Sequence, residues 1–214
     1  MTIFLFDFDG TLADSLDTVI AIANRLAPEF GYPPTTAAEI EQLRNVSSRD
    51  ILRSGRVARW KIPFLLRRLN RELWGELDQL RWIAGMEPVL RQLEAEGHQL
   101  GLVTSNSGRN VRQFLADRQM LTRFKVLQAG VTILGKQRVL KRLVRRQGWA
   151  AEQVCYVGDE VRDVEAARGA GVRSIAVTWG FNTTTVLNRA NPDYLIDHPA
   201  ELIEIAQSFV AANA

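Results

Sequence analysis

The residues with the clearest chemical potential are two aspartates that directly follow a short apolar run. Asp7 and Asp9 come after the apolar residues 3–6, and Gly10 follows them. Since alternate residues of a strand face the same side, we expect both carboxylates on one side of the chain. Two carboxylates that lie so close repel each other unless a cation or a shared proton separates them. The glycine permits a sharp turn, so that backbone groups can approach a bound anion.

Further polar residues stand at the ends of later apolar runs or at the start of a helical pattern. They are Thr104, Ser105 and Asn106 after residues 100–103, Lys136 at the start of a helical pattern, and Asp159 and Asp163 after residues 154–158. In α/β sheets, ligands bind at the carboxyl ends of the strands, so the side chains that follow the strands are expected in one site. The backbone N–H groups of Ser105 and Asn106 precede a predicted helix and suit an anion.

Apolar runs and helical patterns alternate along most of the chain, which predicts an α/β fold with a parallel sheet and helices on both faces. The predicted strands lie near residues 2–7, 99–104, 125–129, 153–158, 173–178 and 193–196. The predicted helices lie near residues 86–97, 108–118, 136–147, 161–169 and 200–212.

The segment 15–84 interrupts this alternation, because it has helical patterning and no convincing strand. It predicts an α-helical domain inserted into the first crossover of the sheet. The expected division is a discontinuous core of residues 1–14 and 85–214, with residues 15–84 as a helical cap. The expected hinges are residues 14–15 and 83–85.

The run Asp7-Phe8-Asp9-Gly10-Thr11 resembles the first signature of the haloacid dehalogenase (HAD) phosphohydrolase superfamily. Three later elements match that family in the expected order, namely Thr104, Lys136 and the Gly-Asp-x-x-x-Asp form that ends at Asp163. One departure is Gln137, which stands where the family usually has proline after the lysine. The helical insert is similar to the small cap of phosphoglycolate phosphatase-like members. The resemblance implies a Rossmann-like three-layer core with that cap above the site.

By this resemblance, Asp7 is the nucleophile that forms an aspartyl phosphate. Asp9 protonates the leaving oxygen and then deprotonates the hydrolytic water. The cofactor implied is Mg²⁺, with the Asp7 and Asp159 side chains and the Asp9 carbonyl as ligands. Asp163 supports the site by binding metal waters or the lysine.

The resemblance also assigns the groups that bind the phosphoryl oxygens. Lys136 and Thr104 balance their charge. The turn at Gly10 and the N–H groups of Ser105 and Asn106 are expected beside them.

The cap is rich in cations. Residues 49–71 contain eight basic residues and one acid, Asp50. Most of them are expected to be solvated, with one or two arginines directed inward to bind an anionic substrate. Arg49 and Arg53 are the first candidates, since they are one helical turn apart. The tryptophans Trp60, Trp74 and Trp82 are expected in the cap core.

Composition agrees with a cytoplasmic enzyme. The net charge of +3 is too small to indicate nucleic acid as a partner, and no apolar stretch is long enough for a membrane span. Asp7 interrupts the first apolar run too early for a signal peptide. Cys155 is the single cysteine, so no intrachain disulfide forms. The two histidines, His98 and His198, are expected at the surface or in loops, and a monomer or homodimer is expected.

The function predicted is therefore a Mg²⁺-dependent phosphatase of a small organic phosphate monoester. The alternatives are a β-phosphoglucomutase-like phosphotransferase and a non-catalytic phosphate-binding module. A phosphonate hydrolase would need a cap lysine, and Lys61 is the only one. A dehalogenase is disfavoured, because that branch lacks the acid found here at Asp9. The substrate and the role of Glu160 stay open.

Overall fold

The computed structural model describes residues 1–47, 50–51, 54–132 and 135–211. Its strands, in chain order, are β1 (Ile3–Phe6), β2 (Ala13–Asp14), β3 (Arg81–Trp82), β4 (Gln99–Val103), β5 (Phe124–Gln128), β6 (Val154–Gly158), β7 (Arg173–Val177) and β8 (Tyr194–Ile196). Its α-helices, in chain order, are α1 (Leu16–Phe30), α2 (Ala37–Leu43), α3 (Ile62–Trp74), α4 (Met86–Ala95), α5 (Gly108–Asp117), α6 (Lys136–Gln147), α7 (Val161–Ala170), α8 (Thr184–Arg189) and α9 (Glu201–Ala211).

The main sheet has six strands in the order β5-β4-β1-β6-β7-β8, and each neighbouring pair is parallel. This confirms the predicted α/β class. Phe6 at the end of β1 pairs with Leu102 on one side and with Val157 on the other. The register therefore brings the chain after β1, β4 and β6 to the same edge of the sheet.

The alternation of side chains along β1 divides the core into two layers. Phe4 and Phe6 pack in the apolar cluster that includes buried residues of α4, α5 and α9. Ile3 and Leu5 pack in the opposite cluster, which includes buried residues of α6 and α7. Because both faces of the strand are covered by helices, all four residues are apolar and fully buried.

The helical segment leaves and rejoins the core through a short antiparallel ribbon. In this ribbon β2 pairs with β3, with Ala13 opposite Trp82 and Asp14 opposite Arg81. Between them lie α1, α2 and α3, and within the described part of residues 15–80 no strand joins the main sheet. The two chain crossings are thus neighbours, close to the hinge positions expected from sequence.

The observed strands and helices of the main sheet begin and end within two residues of the predicted bounds. The ribbon and the short α8 were not predicted, since two-residue strands and a six-residue helix carry too little periodic signal. None of the helices in the described part of the chain combines the length and the apolar character needed to span a bilayer.

One expectation about a side chain was wrong, and another side chain is more buried than its loop position suggests. Trp60 is 70% exposed, whereas the other two tryptophans expected in the cap core, Trp74 and Trp82, are partly buried against the main apolar cluster. His98 lies in the loop before β4, as expected, but it is only 6% exposed, and its Nδ1 accepts a hydrogen bond from the Thr2 N–H at 3.1 Å. The exposure of both side chains is set by packing between distant segments, which a local sequence pattern does not reveal.

Candidate functional site

Lys136 joins two of the predicted acids at the carboxyl edge of the sheet. Its Nζ donates to Asp7 Oδ2 at 2.5 Å and to Asp163 Oδ1 at 2.6 Å, and all three side chains are buried. Asp7 directly follows β1, Asp163 lies in the first turn of α7, and Lys136 begins α6. Burial raises the pKa of Asp7, but the charges of Lys136 and Arg162 outweigh it, so the pKa lies below its usual range. Asp7 is therefore ionised at neutral pH.

Asp159, which follows β6, is held beside the first turn of the chain. Its Oδ1 accepts from Thr11 Oγ1 at 2.9 Å, and its Oδ2 accepts from the Phe181 N–H at 2.8 Å. A Cβ at Gly10 would lie 2.3 Å from Asp159 Oδ2, and one at Gly180 would lie 2.2 Å from Asp159 Cβ. Gly10 also has a φ of +70°, which residues with a side chain rarely adopt. Because glycine has no Cβ, the chain at Gly10 and Gly180 can approach the Asp159 side chain this closely.

The three buried aspartates form a cluster whose donor atoms suit a small divalent cation. One carboxyl oxygen from each of Asp7, Asp159 and Asp163 lies within 4.8 Å of the others. Burial, followed by the charges of Glu160, Asp163 and Asp7, raises the pKa of Asp159 well above its usual range. Lys136 alone does not balance this negative charge, and hard oxygen donors are the ligands that Mg²⁺ prefers. The residues present therefore fit a Mg²⁺ ion.

Asp9 faces a different set of neighbours. Its Oδ1 accepts from Ser15 Oγ at 2.9 Å, and Asn106 Nδ2 donates to both of its oxygens at 3.1 and 2.9 Å. Burial, and then the charge of Asp7, raises the pKa of Asp9 to about 6. A carboxyl group with such a pKa exchanges a proton close to neutral pH, as acid–base catalysis requires.

The turn between β4 and α5 is partly occupied by its own hydrogen bonds. The fully buried Thr104 accepts through Oγ1 from the Asn106 N–H at 3.1 Å, so this N–H is engaged inside the turn. The Asn106 side chain, in turn, accepts through Oδ1 from the Ser107 N–H at 2.7 Å. Ser105 lines the neighbouring cavity. Of the two N–H groups expected to face an anion, only that of Ser105 is without an intramolecular partner among the described residues.

Arg162 is a site residue that the sequence analysis did not single out. Its Nε donates to Glu160 Oε1 at 2.9 Å, and its Nη2 contacts the same oxygen. Arg162 Nη1 and Glu160 Oε2 are buried and have no hydrogen-bond partner in the described part of the chain. The charge of Arg162 helps to lower the pKa of Asp7. The signal in the sequence was its position as the only cation within the acidic stretch 159–163.

A cavity of about 1030 Å³ opens beside these residues and is lined from two sides. The sheet edge contributes Asp9, Ser105 and Asp159, while α3 contributes Arg67 and Arg71 among others. Both arginines belong to the basic run of residues 49–71. The two arginines predicted to contact substrate, Arg49 and Arg53, lie outside the described residues.

Asn70 of α3 attaches the helical segment to the turn after β4. Its Oδ1 accepts from the Ser107 N–H at 3.2 Å, and its carbonyl accepts from Asn110 Nδ2 at 2.8 Å. Asn110 Nδ2 also donates to Asn106 Oδ1 at 3.0 Å. Since Asn106 donates to Asp9, an unbroken chain of hydrogen bonds runs from α3 to Asp9.

A second attachment connects the end of α2 with the loop after β7. The buried Asn182 donates through Nδ2 to the carbonyls of Arg44 and Val46, each at 3.0 Å. Its Oδ1 accepts from the Val161 N–H at 2.9 Å, at the start of α7. Arg44 Nε donates to the Phe181 carbonyl at 2.9 Å. Sequence reasoning missed Asn70 and Asn182, because a single asparagine outside a motif carries no distinctive signal.

Comparison with known proteins agrees with this geometry. The family model of haloacid dehalogenase-like hydrolases matches residues 4–177. A phosphoglycolate phosphatase from Synechococcus elongatus is 46% identical over 204 residues, which cover 95% of this chain and 96% of the relative. One from Xanthomonas campestris pv. campestris is 34% identical over 216 residues, with 94% and 95% covered.

The fold also matches that of a haloacid dehalogenase-like family hydrolase from Streptococcus pneumoniae, with a TM-score of 0.78 at 21% identity. That match covers 96% of this chain and 98% of the other. The motifs of the site, the sheet topology and these matches agree along nearly the whole chain. The chain belongs to the haloacid dehalogenase-like hydrolase family.

Proposed function

We propose that the protein is a Mg²⁺-dependent phosphatase that hydrolyses a small organic phosphate monoester through an aspartyl-phosphate intermediate. The observation that carries the proposal is the buried contact of Lys136 with both Asp7 and Asp163, beside Asp159. Membership of the hydrolase family supports it. The phosphoglycolate phosphatases similar to this chain make phosphoglycolate the first substrate to test.

Asp7 is the proposed nucleophile. Its Oδ1 accepts from the Phe8 N–H at 2.8 Å, and its Oδ2 accepts from Lys136, so the carboxylate is held in one orientation. Its lowered pKa keeps it ionised at neutral pH. Attack on phosphorus forms the bond to the Asp7 oxygen as the bond to the leaving oxygen breaks.

Asp9 is the proposed acid and base. In its protonated form it donates a proton to the leaving oxygen, which then departs as an alcohol. In its ionised form it accepts a proton from the water that attacks the aspartyl phosphate and regenerates Asp7. The pKa of about 6 makes both forms accessible near neutral pH.

The remaining groups balance the charge of the phosphoryl oxygens. Lys136, Thr104, the Ser105 N–H and the turn at Gly10 are the proposed phosphoryl contacts, and Asp163 orients the lysine. Bound Mg²⁺, with the Asp7 and Asp159 side chains and the Asp9 carbonyl as proposed ligands, would neutralise phosphoryl charge and orient the ester for in-line attack.

The helical segment 15–84 is the proposed cap. Its helix α3 lines the cavity beside Asp9 and is attached to the turn after β4 through Asn70. A cover in that position excludes bulk water during the first transfer and contacts the leaving group.

The proposed compartment is the cytoplasm, and the proposed assembly is a monomer or homodimer. The single cysteine, Cys155, supports the first point, because it has no partner for a disulfide. It is buried in β6, and burial raises the pKa of its thiol to about 12, so it is not a reactive nucleophile.

Phosphate release from phosphoglycolate tests the function. We expect release with Mg²⁺, none after metal removal by a chelator, and recovery when Mg²⁺ is added back. Ca²⁺ should restore little activity, since its larger coordination sphere favours bidentate carboxylates and would occupy the attacking oxygen. Undiminished activity in excess chelator would contradict the magnesium assignment.

Two alternatives are distinguished by the same assay. A phosphotransferase would move the phosphoryl group to a sugar phosphate acceptor, which phosphorus NMR detects, instead of releasing inorganic phosphate. A non-catalytic module would bind phosphate but release none from any of a panel of phosphate monoesters.

A further inference from the structure

We propose that one face of α3 is a subsite for a second anionic group, carried by the leaving group of the substrate, and that Arg67 and Arg71 bind it. Arg109, on the facing helix α5, completes the subsite. The inference rests on the proposed phosphatase function, because it places the leaving group in the cavity next to Asp9.

The geometry of α3 places the two arginines on the face that meets the site. Residues three and four apart in a helix share a face, which groups Arg67, Asn70, Arg71 and Trp74. All four line the cavity. The hydrogen bond from the Ser107 N–H to Asn70 fixes this face against the turn after β4.

The arginines of α3 differ in their partners. Arg68 forms ion pairs with Glu29 at 3.4 Å and with Glu72 at 2.6 Å, so its charge is already compensated. For Arg67 and Arg71, no ion pair or hydrogen bond with a residue in the described ranges is found. Uncompensated guanidinium groups on a concave surface attract anions and bind carboxylate in a bidentate manner.

Arg109 supplies the third cation from the core. Its guanidinium carbon lies 3.6 Å from the centroid of the Trp74 ring. Stacking on the ring restrains the plane of the guanidinium while its N–H groups at the edge stay able to bind an anion. Arg109 also lines the cavity, so cations from both α3 and α5 face the same space.

The cavity is therefore polarised along its length. Asp9, Asp159 and Glu160 line the part next to the sheet edge, where the lining cation Arg162 is paired with Glu160. The opposite part carries Arg67 and Arg71 of α3 and Arg109 of α5. A phosphate monoester with a neutral leaving group would leave these cations without an anionic partner. An ester whose leaving group carries a carboxylate or a second phosphate can place its phosphoryl group at the sheet edge and its second anion at the arginines.

The experiment compares two esters that differ in this charge. Phosphoglycolate has a carboxylate in its leaving group, and ethyl phosphate has a methyl group in the same place. We expect the double variant R67Q/R71Q to lose about ten- to a hundredfold in kcat/KM for phosphoglycolate, and at least about tenfold less for ethyl phosphate. R71K, which keeps the charge, should lose less than R71Q. R68Q, on the same helix, should leave both values unchanged.

A binding measurement gives a readout independent of turnover. In the D7N background, calorimetry should show that R67Q/R71Q weakens the Kd for phosphoglycolate about tenfold or more, and that added salt reduces this difference. R68Q should not change that Kd.

The outcomes separate the two proposals. Equal losses on both esters, or no loss on either, together with unchanged Kd values, would overturn the subsite and leave the phosphatase function standing. If the wild-type protein cleaves neither these esters nor any other of the panel of phosphate monoesters, the phosphatase function fails. The calorimetric comparison then decides the subsite alone.

Discussion

Asp7 and Asp9 are separated by one residue, yet their surroundings shift their pKa values in opposite directions. Asp7 is held by Lys136, and the cations near it lower its pKa against the effect of burial. Within the described ranges, the Asp9 carboxylate accepts only from the neutral groups of Ser15 and Asn106, and burial and the charge of Asp7 raise its pKa. This difference supports the proposed roles, in which Asp7 attacks phosphorus and Asp9 transfers the proton.

Substitution should separate these two roles. D7N should lower turnover at least about a thousandfold and leave no acid-stable protein-bound phosphate, since an amide does not attack phosphorus. D9N should still form the phosphoprotein from an activated aryl ester, whose leaving group needs no proton, but should hydrolyse it slowly. Rapid-quench labelling measures both steps, with D117N on the exposed end of α5 as the control. Labelled phosphate retained by D7N would place the nucleophile elsewhere.

Gly10 should be intolerant of any side chain. G10A places a Cβ 2.3 Å from Asp159 Oδ2 and also imposes strain at a φ of +70°. Gly148 has a similar φ of +67°, but a Cβ there would meet no atom within 4 Å, so G148A carries the strain without the clash. We expect G10A to lower the free energy of unfolding by about 1–3 kcal/mol more than G148A. Thermal denaturation measures the difference. Equal losses of unfolding free energy in G10A and G148A would show that the Asp159 side chain moves aside without a measurable energetic penalty.

At the scale of elements, asparagine side chains join the helical segment to the core at two places. Asn70 connects α3 with the turn after β4, and Asn182 connects the chain after α2 with the start of α7. The second attachment adjoins the Phe181 N–H that binds Asp159. The position of the helical segment and that of Asp159 are therefore structurally connected through one loop.

N182A should loosen this connection. Loss of the side chain leaves the Val46 carbonyl and the Val161 N–H without this partner, at a cost of about 1–3 kcal/mol, whereas the Arg44 carbonyl keeps the Thr183 N–H at 3.1 Å. Hydrogen–deuterium exchange should then accelerate in residues 44–47 and at the start of α7. The control N188A changes an exposed asparagine in the neighbouring α8 and should leave these rates unaltered. Unchanged exchange in N182A would show that the remaining contacts of Arg44 and Thr183 are enough to retain the segment.

At the scale of the whole molecule, we expect His98 to make the free energy of unfolding depend on pH. Burial, and then the positive N-terminus, lowers the pKa of His98, so folding favours its neutral form. Above its unfolded pKa of about 6.5, both states are neutral and His98 costs nothing. As pH falls below that value, the unfolded chain binds a proton that the folded chain does not, and stability decreases.

H98N should weaken this dependence. Asparagine can still accept from the Thr2 N–H but does not titrate, so between pH 6.5 and the lowered pKa the slope should fall by up to about 1.4 kcal/mol per pH unit. H198N, at the exposed histidine, should keep the wild-type slope. Denaturant unfolding across this pH range measures the slopes, and identical slopes for H98N and wild type would contradict the assignment.

The sequence by itself determined the α/β core and the residues of the acidic cluster. Acids that interrupt buried apolar runs, at Asp7 and Asp159, are local patterns, and the parallel sheet brings all such positions to one edge. The tertiary structure alone decided which residues surround that cluster. The burial of His98, the exposure of Trp60 and the approach of Arg162 to Asp7 depend on contacts between distant segments. The basic run of residues 49–71 predicted inward arginines, but only the packing of α3 against the turn after β4 selects which helix face meets the cavity.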